Sequence, residues 1–345
     1  MSELAFRSRR ILYAVVTEYI ATGEPVGSRK LGRRYGFDVS AATIRNELAD
    51  LEDQGYLTQP HTSAGRVPTD QGFRAFVDAL VHMGNVAPRD KAMLSDQLSG
   101  LRPGVDDLPR EAGRLLSTLT GAAALVHTAN PADQIVAQLR WMRLDERRLL
   151  AVLVTRSGTV ENRLVQLERG VEPRELDRLH NYLNSLLGEH TLANLRDVVA
   201  QAADTERSQL ARRAQTMMQA TLEAPSQRGP AVLIEGQKLL LGAPDFAHVD
   251  KMRSVLSVLE ERERLLELLE RTLAAGGVQV LIGGETQLAD ARDLSLISAS
   301  YGQPETGTGT LGLIAPTRVD YQKVVPLVGF AARLLTDLLH RTAGH

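Results

Sequence analysis

Residues 25–69 read PVGSRKLGRRYGFDVSAATIRNELADLEDQGYLTQPHTSAGRVPT. Two short helical patterns lie a few residues apart, and a possible hairpin with a basic tip follows them. Ser28 is a candidate cap for the first helix, whose inner side is Leu31 and Tyr35. Gly36 and Asp38 make the turn. Ser40 caps the second helix, in which Ile44, Leu48 and Leu51 recur at i, i+4 and i+7 as a buried stripe. Gly55 ends it as a C′ residue. Short strands are expected at 56–58 and 66–67, around the turn-forming string PHTSAG. With Ile44 and Leu48 turned inward, Ala42, Arg45, Asn46 and Ala49 face outward. Asn pairs in bidentate fashion with adenine and Arg with guanine, and Ala touches a thymine methyl. The spacing fits a recognition helix in a DNA major groove with a wing beside it.

The neighbouring residues extend this unit. Ile11, Leu12, Val15, Val16 and Tyr19 share one helical face and Thr22-Gly23-Glu24-Pro25 ends that helix. Beyond the hairpin, Thr69 caps a helix with Phe73, Phe76, Val77 and Leu80 on one face. The expected winged helix-turn-helix domain covers residues 1–84. Ala42, Thr43, Arg45 and Asn46 are the candidate base readers. Ser28, Arg29, Arg33, Ser40, His61 and Arg66 are the candidate phosphate contacts. Basic residues lead in the first helices, but Glu47, Asp50, Glu52, Asp53, Asp70 and Asp78 follow, and these acids must point away from DNA.

The net charge of −2 over 345 residues carries no global basic signature, so a nucleic-acid reading rests on local placement. The length implies two or three domains. With no cysteine, disulfides, thiolate metal sites and cysteine nucleophiles are excluded. MSELAFRSRR lacks the apolar stretch of a signal peptide and no apolar run approaches bilayer length, so a cytoplasmic protein without membrane attachment is expected.

Residues 85–109 hold Pro88, Pro103 and Pro109 and read as a linker with one further helix and a break at Arg102-Pro103-Gly104. Strand-like runs follow at 135–142, 149–155 and 159–167, with Ser157-Gly158 as a hairpin turn. Residues 173–223 are helical, with stripes Leu176, Leu179, Leu183, Leu187 and Leu210, Ala214, Met217, Thr221. Residues 231–241 read as a hairpin. Residues 249–273 read as one long helix with a heptad-like seam, in which Val255, Leu259, Leu266 and Leu269 are candidate subunit contacts. Strands at 278–282, 294–299 and 310–315 and a closing helix at 321–339 complete the chain. Strands, then helices, then strands give an α+β multidomain fold with a helical insertion. The expected units are 110–172 and 275–345 as two parts of one domain, with 173–274 inserted between them.

Gly307-Thr308-Gly309-Thr310-Leu311-Gly312 matches G-x-G-x-x-G, but it precedes a strand end where a dinucleotide loop must follow a strand and open a helix. A hairpin turn is the favoured reading. The eight histidines are scattered without metal-ligand spacing. No catalytic set, metal or cofactor is expected, and the chain is read as a non-enzyme.

The segments PVGS (25–28), SAATIRNELADLEDQGYL (40–57) and PHTSAGRVPT (60–69) closely resemble the bacterial heat-inducible transcription repressor HrcA family, as do ISASYG (297–302) and LGLIAPTRVDYQKVVPLV (311–328). Ala315, Val319, Val67 and Phe73 depart from the usual family residues. The resemblance implies a winged helix, a GAF-like domain, and a dimerisation domain inserted in it. It also implies repression of chaperone operons through an inverted-repeat operator, with chaperonin assisting the active state. The expected partners are therefore double-stranded DNA, a second copy of the chain, and chaperonin. The rival reading is a small-molecule sensor whose GAF-like domain holds an effector.

Overall fold

The computed structural model describes residues 4–61, 64–80, 85–101, 107–128, 135–155, 160–187, 190–224, 232–288, 290–303 and 307–343. Thr62-Ser63, the Arg102-Pro103-Gly104 break and the Ser157-Gly158 turn lie outside these residues.

The first unit comprises α1 (Phe6–Thr22), α2 (Ser28–Tyr35), α3 (Ala41–Asp53), a ladder of β1 (Leu57–Thr58) and β2 (Val67–Pro68), and α4 (Asp70–Leu80). Its core is Ile11, Leu12, Val15, Leu31, Ile44, Leu48, Leu51, Phe73 and Phe76, the apolar stripes read from the sequence. β1 pairs antiparallel with β2 through Leu57↔Pro68 and Thr58↔Val67.

The region expected to be a linker contains one helix, α5 (Pro88–Ser99), and α6 (Leu108–Thr120) begins at its end. Both pack into the core, through Leu94 and Leu98 and through Ala112, Leu115 and Leu116. β3 (Ala123–Thr128) follows, a strand the sequence reading missed. It joins β7 (Val232–Glu235), β8 (Val278–Ile282), β9 (Leu294–Gln303) and β10 (Gly307–Pro316) in a five-stranded antiparallel sheet, order β7-β3-β10-β9-β8. The G-x-G-x-x-G match is thus neither a turn nor a phosphate loop but part of β10, with Gly312 lying against Leu269 and Ser298. One sheet face packs on α5, α6 and α13 (Tyr321–Ala343) and shares the core of the first unit. The other packs on α10 (Gln237–Leu241), α11 (Val249–Glu260) and α12 (Arg262–Ala275).

Between β3 and β7 the chain builds a separate unit. β4 (Val136–Arg143), β5 (Arg148–Thr155) and β6 (Val160–Gln166) form a three-stranded meander, with α7 (Pro173–Leu187), α8 (Leu192–Glu206) and α9 (Gln209–Glu223) on one face. Trp141 anchors it. Its indole N–H donates to Thr221 Oγ1 at 3.0 Å and its ring stacks on His180 at 5.5 Å. The boundaries therefore differ from the expectation. The meander belongs with α7–α9 instead of the larger sheet, and α10–α12 belong with the larger sheet instead of the insertion. Where a hairpin was expected at 231–241, Val232–Glu235 form a strand and Gln237–Leu241 a helix. The long helix of 249–273 is broken at Glu261, whose ψ of 56° leaves the helical region.

Candidate nucleic-acid interface

α3 is capped at both ends. Ser40 Oγ accepts from Thr43 N–H at 3.1 Å and shares a 3.0 Å hydrogen bond with Thr43 Oγ1. This supplies an acceptor for a free N–H of the first turn. The C-terminus closes in a Schellman pattern. Tyr56 N–H reaches Leu51 O at 2.9 Å, Gly55 N–H reaches Glu52 O at 2.9 Å, and Gly55 has φ +80°. Both ends and the inner stripe are thus fixed, and Ala42, Arg45 and Asn46 are exposed on the outer side. Thr43 is half-buried with its hydroxyl held by Ser40.

Arg29 and Arg33 of α2 are exposed and make no ion pair among the described residues. Ser28 is different from its expectation. The cap of α2 is Gly27, and Ser28 is the first helical residue, only 7 % exposed. Its hydroxyl is withdrawn from the surface where a phosphate would lie. Lys30 and Arg34 are turned onto Glu18 of α1, at 2.7 and 2.9 Å, and the Tyr35 hydroxyl donates to Glu18 at 3.3 Å. The hydrogen bond from Lys30, aided by the charges of Lys30 and Arg34, holds the Glu18 carboxyl below the usual carboxylate range against the cost of burial. Burial and the Glu18 charge push the Tyr35 hydroxyl up.

At the hairpin, Val26 and Arg66 exchange backbone hydrogen bonds of 2.8 and 2.9 Å. Gly65 is required by close approach, since a Cβ there would sit 2.5 Å from the Val26 carbonyl. Space, not a left-handed backbone, is what selects glycine here. Arg66 folds back onto α3. Its guanidinium meets Glu52 at 2.6 Å, its side chain is only 18 % exposed, and its Nε makes no hydrogen bond among the described residues. His61 is exposed at the turn, and Ser40 is exposed at the start of α3.

The acids that threatened a basic surface are partly accounted for. Glu47 accepts from Ser8 Oγ at 2.8 Å and lies 3.7 Å from Arg7. Glu52 is on Arg66. Asp78 lies 3.6 Å from Arg74, and Asp70 accepts from Gly284 N–H at 3.0 Å. Asp50 and Asp53 remain exposed.

The four candidate subunit contacts lie elsewhere. Val255, Leu259 and Leu269 are buried between α11, α12 and the five-stranded sheet, and Leu266 packs on the same cluster. The break at Glu261 splits the heptad-like seam, and its apolar residues face this chain's own core. Sequence reasoning also missed Glu18, although an acid at i+3 from Val15 on an otherwise apolar face was a visible signal. Among the described residues no group of three or more His, Cys, Asp and Glu could hold a metal, and no helix is long and apolar enough to cross a membrane.

Residues 106–325 match the family model described as the HrcA protein C terminal domain. A heat-inducible transcription repressor HrcA of Sorangium cellulosum (strain So ce56) is 44 % identical over 342 residues, covering 98 % of this chain and 99 % of that protein. One from Syntrophobacter fumaroxidans (strain DSM 10017 / MPOB) is 39 % identical over 347 residues and covers 98 % of each chain. This chain belongs to the HrcA family. The family is thus one of heat-inducible transcription repressors, and the departures at Val67, Phe73, Ala315 and Val319 leave membership intact. The HrcA C-terminal match begins in the segment before α6, while α1–α4 fall within the nearly full-length coverage of the relatives. The chain also shares its fold with a crystal structure of a hypothetical protein, at a TM-score of 0.65 and 22 % identity, covering 99 % of this chain and 100 % of that one.

Proposed function

We propose that this chain represses heat-shock (chaperone) operons by binding an inverted-repeat operator as a homodimer. In this reading α1–α4 with the β1–β2 ladder are a winged helix-turn-helix, and α3 enters the major groove. The observation that carries it is the outer face of α3. Ala42, Arg45 and Asn46 are exposed on a helix fixed at both ends, with the free cations Arg29 and Arg33 on the adjoining α2. Arg45 and Asn46 read base edges, with Ala42 and the ordered Thr43 beside them. Arg29, Arg33, Ser40 and His61 meet phosphates. Arg66 supports the hairpin from inside, and Ser28 makes no contact. The five-stranded sheet with its helices is the GAF-like unit.

Dimerisation in this reading belongs to the inserted unit of β4–β6 and α7–α9. The sheet face away from the helices carries exposed apolar residues, with Met142 54 %, Val160 52 % and Leu164 38 % exposed. The registers Met142↔Leu150↔Leu164 and Val154↔Val160 make two apolar rows on this face, with the row Arg140↔Val152↔Asn162 between them. Exposed apolar rows of this kind mark association surfaces. Chaperonin then biases the chain toward its DNA-competent form, a role implied by the resemblance to the family.

The test is a titration of DNA fragments carrying an inverted repeat selected by the chain from a random pool, with and without purified chaperonin. Specific binding as a dimer, with a larger competent fraction when chaperonin is present, supports the reading. Equal affinity for selected and random DNA would overturn it.

A further inference from the structure

The DNA-binding unit is clamped to the five-stranded sheet at two places. At the first, Asp70 of α4 accepts from Gly284 N–H at 3.0 Å. One turn on, Arg74 donates from Nε to Glu285 Oε1 at 2.9 Å, and its Nη2 reaches both Glu285 Oε2 and the Val280 carbonyl of β8. Glu285 is itself held, because Oε2 also accepts from Ile282 N–H at 2.8 Å. The opposing charge and hydrogen bonds of Glu285 raise the already high pKa of Arg74, against the burial of its guanidinium. Phe73, between Asp70 and Arg74, bridges inward, with its ring 6.1 Å from Tyr321 of α13 and 6.3 Å from Tyr19 of α1. Tyr321 is immobilised by hydrogen bonds to Ser295 Oγ at 2.7 Å and Thr317 O at 2.9 Å.

At the second place, Arg318 lies over the Tyr19 ring, 5.7 Å from its centroid, and its Nη1 fills the space where a Cβ on Gly23 would stand. Its guanidinium is aimed by Asp245, with Nε at 2.7 Å and Nη2 at 2.6 Å from Oδ1. The bidentate fork of Arg74 on Glu285 and the Arg318 cation over the Tyr19 ring both demand a fixed orientation. The two clamps use α4 and the C-terminal end of α1. Neither uses α3, whose outer side chains Ala42, Arg45 and Asn46 stay exposed.

We propose that Arg74 and Arg318 are positioning residues for operator recognition: they hold α3 at one orientation relative to the body of the chain, so that a dimer presents its two recognition helices at one spacing. This rests on the inverted-repeat reading above. Two tethered sites gain up to about 10²–10⁴-fold when the connection is matched to the span, and lose that gain when it is not. Contacts that touch no DNA therefore govern affinity for the full site, and the half-site is indifferent to them.

The experiment uses the full chain and three DNA fragments: the selected inverted repeat, one half of it, and the repeat with five base pairs inserted at its centre. Wild type is expected to bind the full site far more tightly than the half-site and to lose most of that advantage on the lengthened site. Arg74→Ala/Arg318→Ala is expected to bind the full site about 10–100-fold more weakly, as part of the tethering gain is lost, with half-site affinity unchanged and the penalty for the insertion reduced. Arg318→Lys, which keeps a cation over Tyr19, should recover much of the single Arg318→Ala defect. Circular dichroism and thermal unfolding establish that the variants fold. Equal losses on full and half-sites would overturn the proposal, because the residues then act on the DNA-binding unit itself. An unchanged full-site affinity with the wild-type insertion penalty would also overturn it. A wild-type chain that binds full and half-sites equally would overturn the inverted-repeat reading, and this proposal with it.

Discussion

The two main sheets differ in what covers them. The five-stranded sheet has helices on both sides, and β9, LSLISASYGQ, is buried at nearly every position. The three-stranded meander has α7–α9 on one side, and β4, VAQLRWMR, alternates between buried and exposed. A sheet buried on both faces needs no alternation, and a sheet with one open face shows it. The open face of the meander ought to be polar if water covered it. Its row of Met142, Leu150 and Leu164 is apolar instead. The contrast separates the part of the molecule that completes its own core from the part proposed to be completed by a second copy.

Acidic substitutions on that open face offer the sharpest break. Met142→Asp/Leu164→Asp is expected to leave each chain folded and to convert dimer to monomer in sedimentation velocity. The loss of tethering should weaken operator binding by about 10²–10⁴-fold. A folded variant that stays dimeric with full affinity would move the subunit contact elsewhere. Leu296→Asp on the fully covered sheet should instead prevent folding, since it buries an unpaired charge.

The α11–α12 region supplies the counterpart. Leu259 is buried against the larger sheet, so Leu259→Ala should cost about 2–5 kcal/mol of stability in denaturant unfolding. The oligomeric state below the unfolding transition should not change. Dissociation without destabilisation would restore the heptad-like seam of 249–273 as a subunit contact.

Much of the proposed DNA-binding unit was legible because its signals are local. Ser40, Gly55 and the Ile44-Leu48-Leu51 stripe are all read within one helix, and the structure places them as cap, C′ residue and core. The limits of the insertion depend on which distant strands pair. The strand-like run at 135–142 did not say that β4 would pair with β5 and, among the described strands, with no other. β3, AALVHT, is short and bears two alanines, and its role appears only when β10 and β7 flank it. QKLLL after Gly236 suits a strand or a helical turn equally by periodicity. At the candidate site, exposure of Arg45 and Asn46 followed from the helix face. The inward turn of Arg66 did not, because it depends on Glu52 across the hairpin.

Within the proposed DNA-binding unit, the comparison is between exposed cations and engaged ones. Arg45→Ala should lose about 1–3 kcal/mol of specific operator binding and keep random-sequence binding. Arg33→Ala should weaken both and reduce the salt slope by about one unit. Arg66→Ala should move the slope less than Arg33→Ala does, since Arg66 already pairs with Glu52. Salt titrations on selected and random fragments check all three. A full-unit slope change for Arg66→Ala would mean that the pair with Glu52 opens on DNA.

The smallest effect belongs to Glu18, which ties α1 to α2 through Lys30, Arg34 and Tyr35. Its carboxyl titrates lower in the folded chain than in the unfolded one, chiefly because Lys30 hydrogen-bonds to the charged form. A lowered folded value means that the unfolded state binds the proton first as pH falls. The stabilisation is therefore complete above the unfolded value of about 4.3 and is lost below it, as pH drops through the folded value. Lys30 and Arg34 are well exposed, so water screens the pairs, and a contribution of about 1 kcal/mol is expected. Glu18→Gln keeps the shape and removes the charge. It should lower stability at pH 7 by about that amount and flatten the acid limb of the pH–stability curve below about pH 4. The effect on DNA binding should be opposite in sign to a simple loss of fold. Freeing Lys30 and Arg34 adds cations beside Arg29 and Arg33, so random-sequence affinity at low salt should rise slightly. Lower affinity at every salt concentration would mean that the tie serves to orient α2 more than it withholds charge from the DNA.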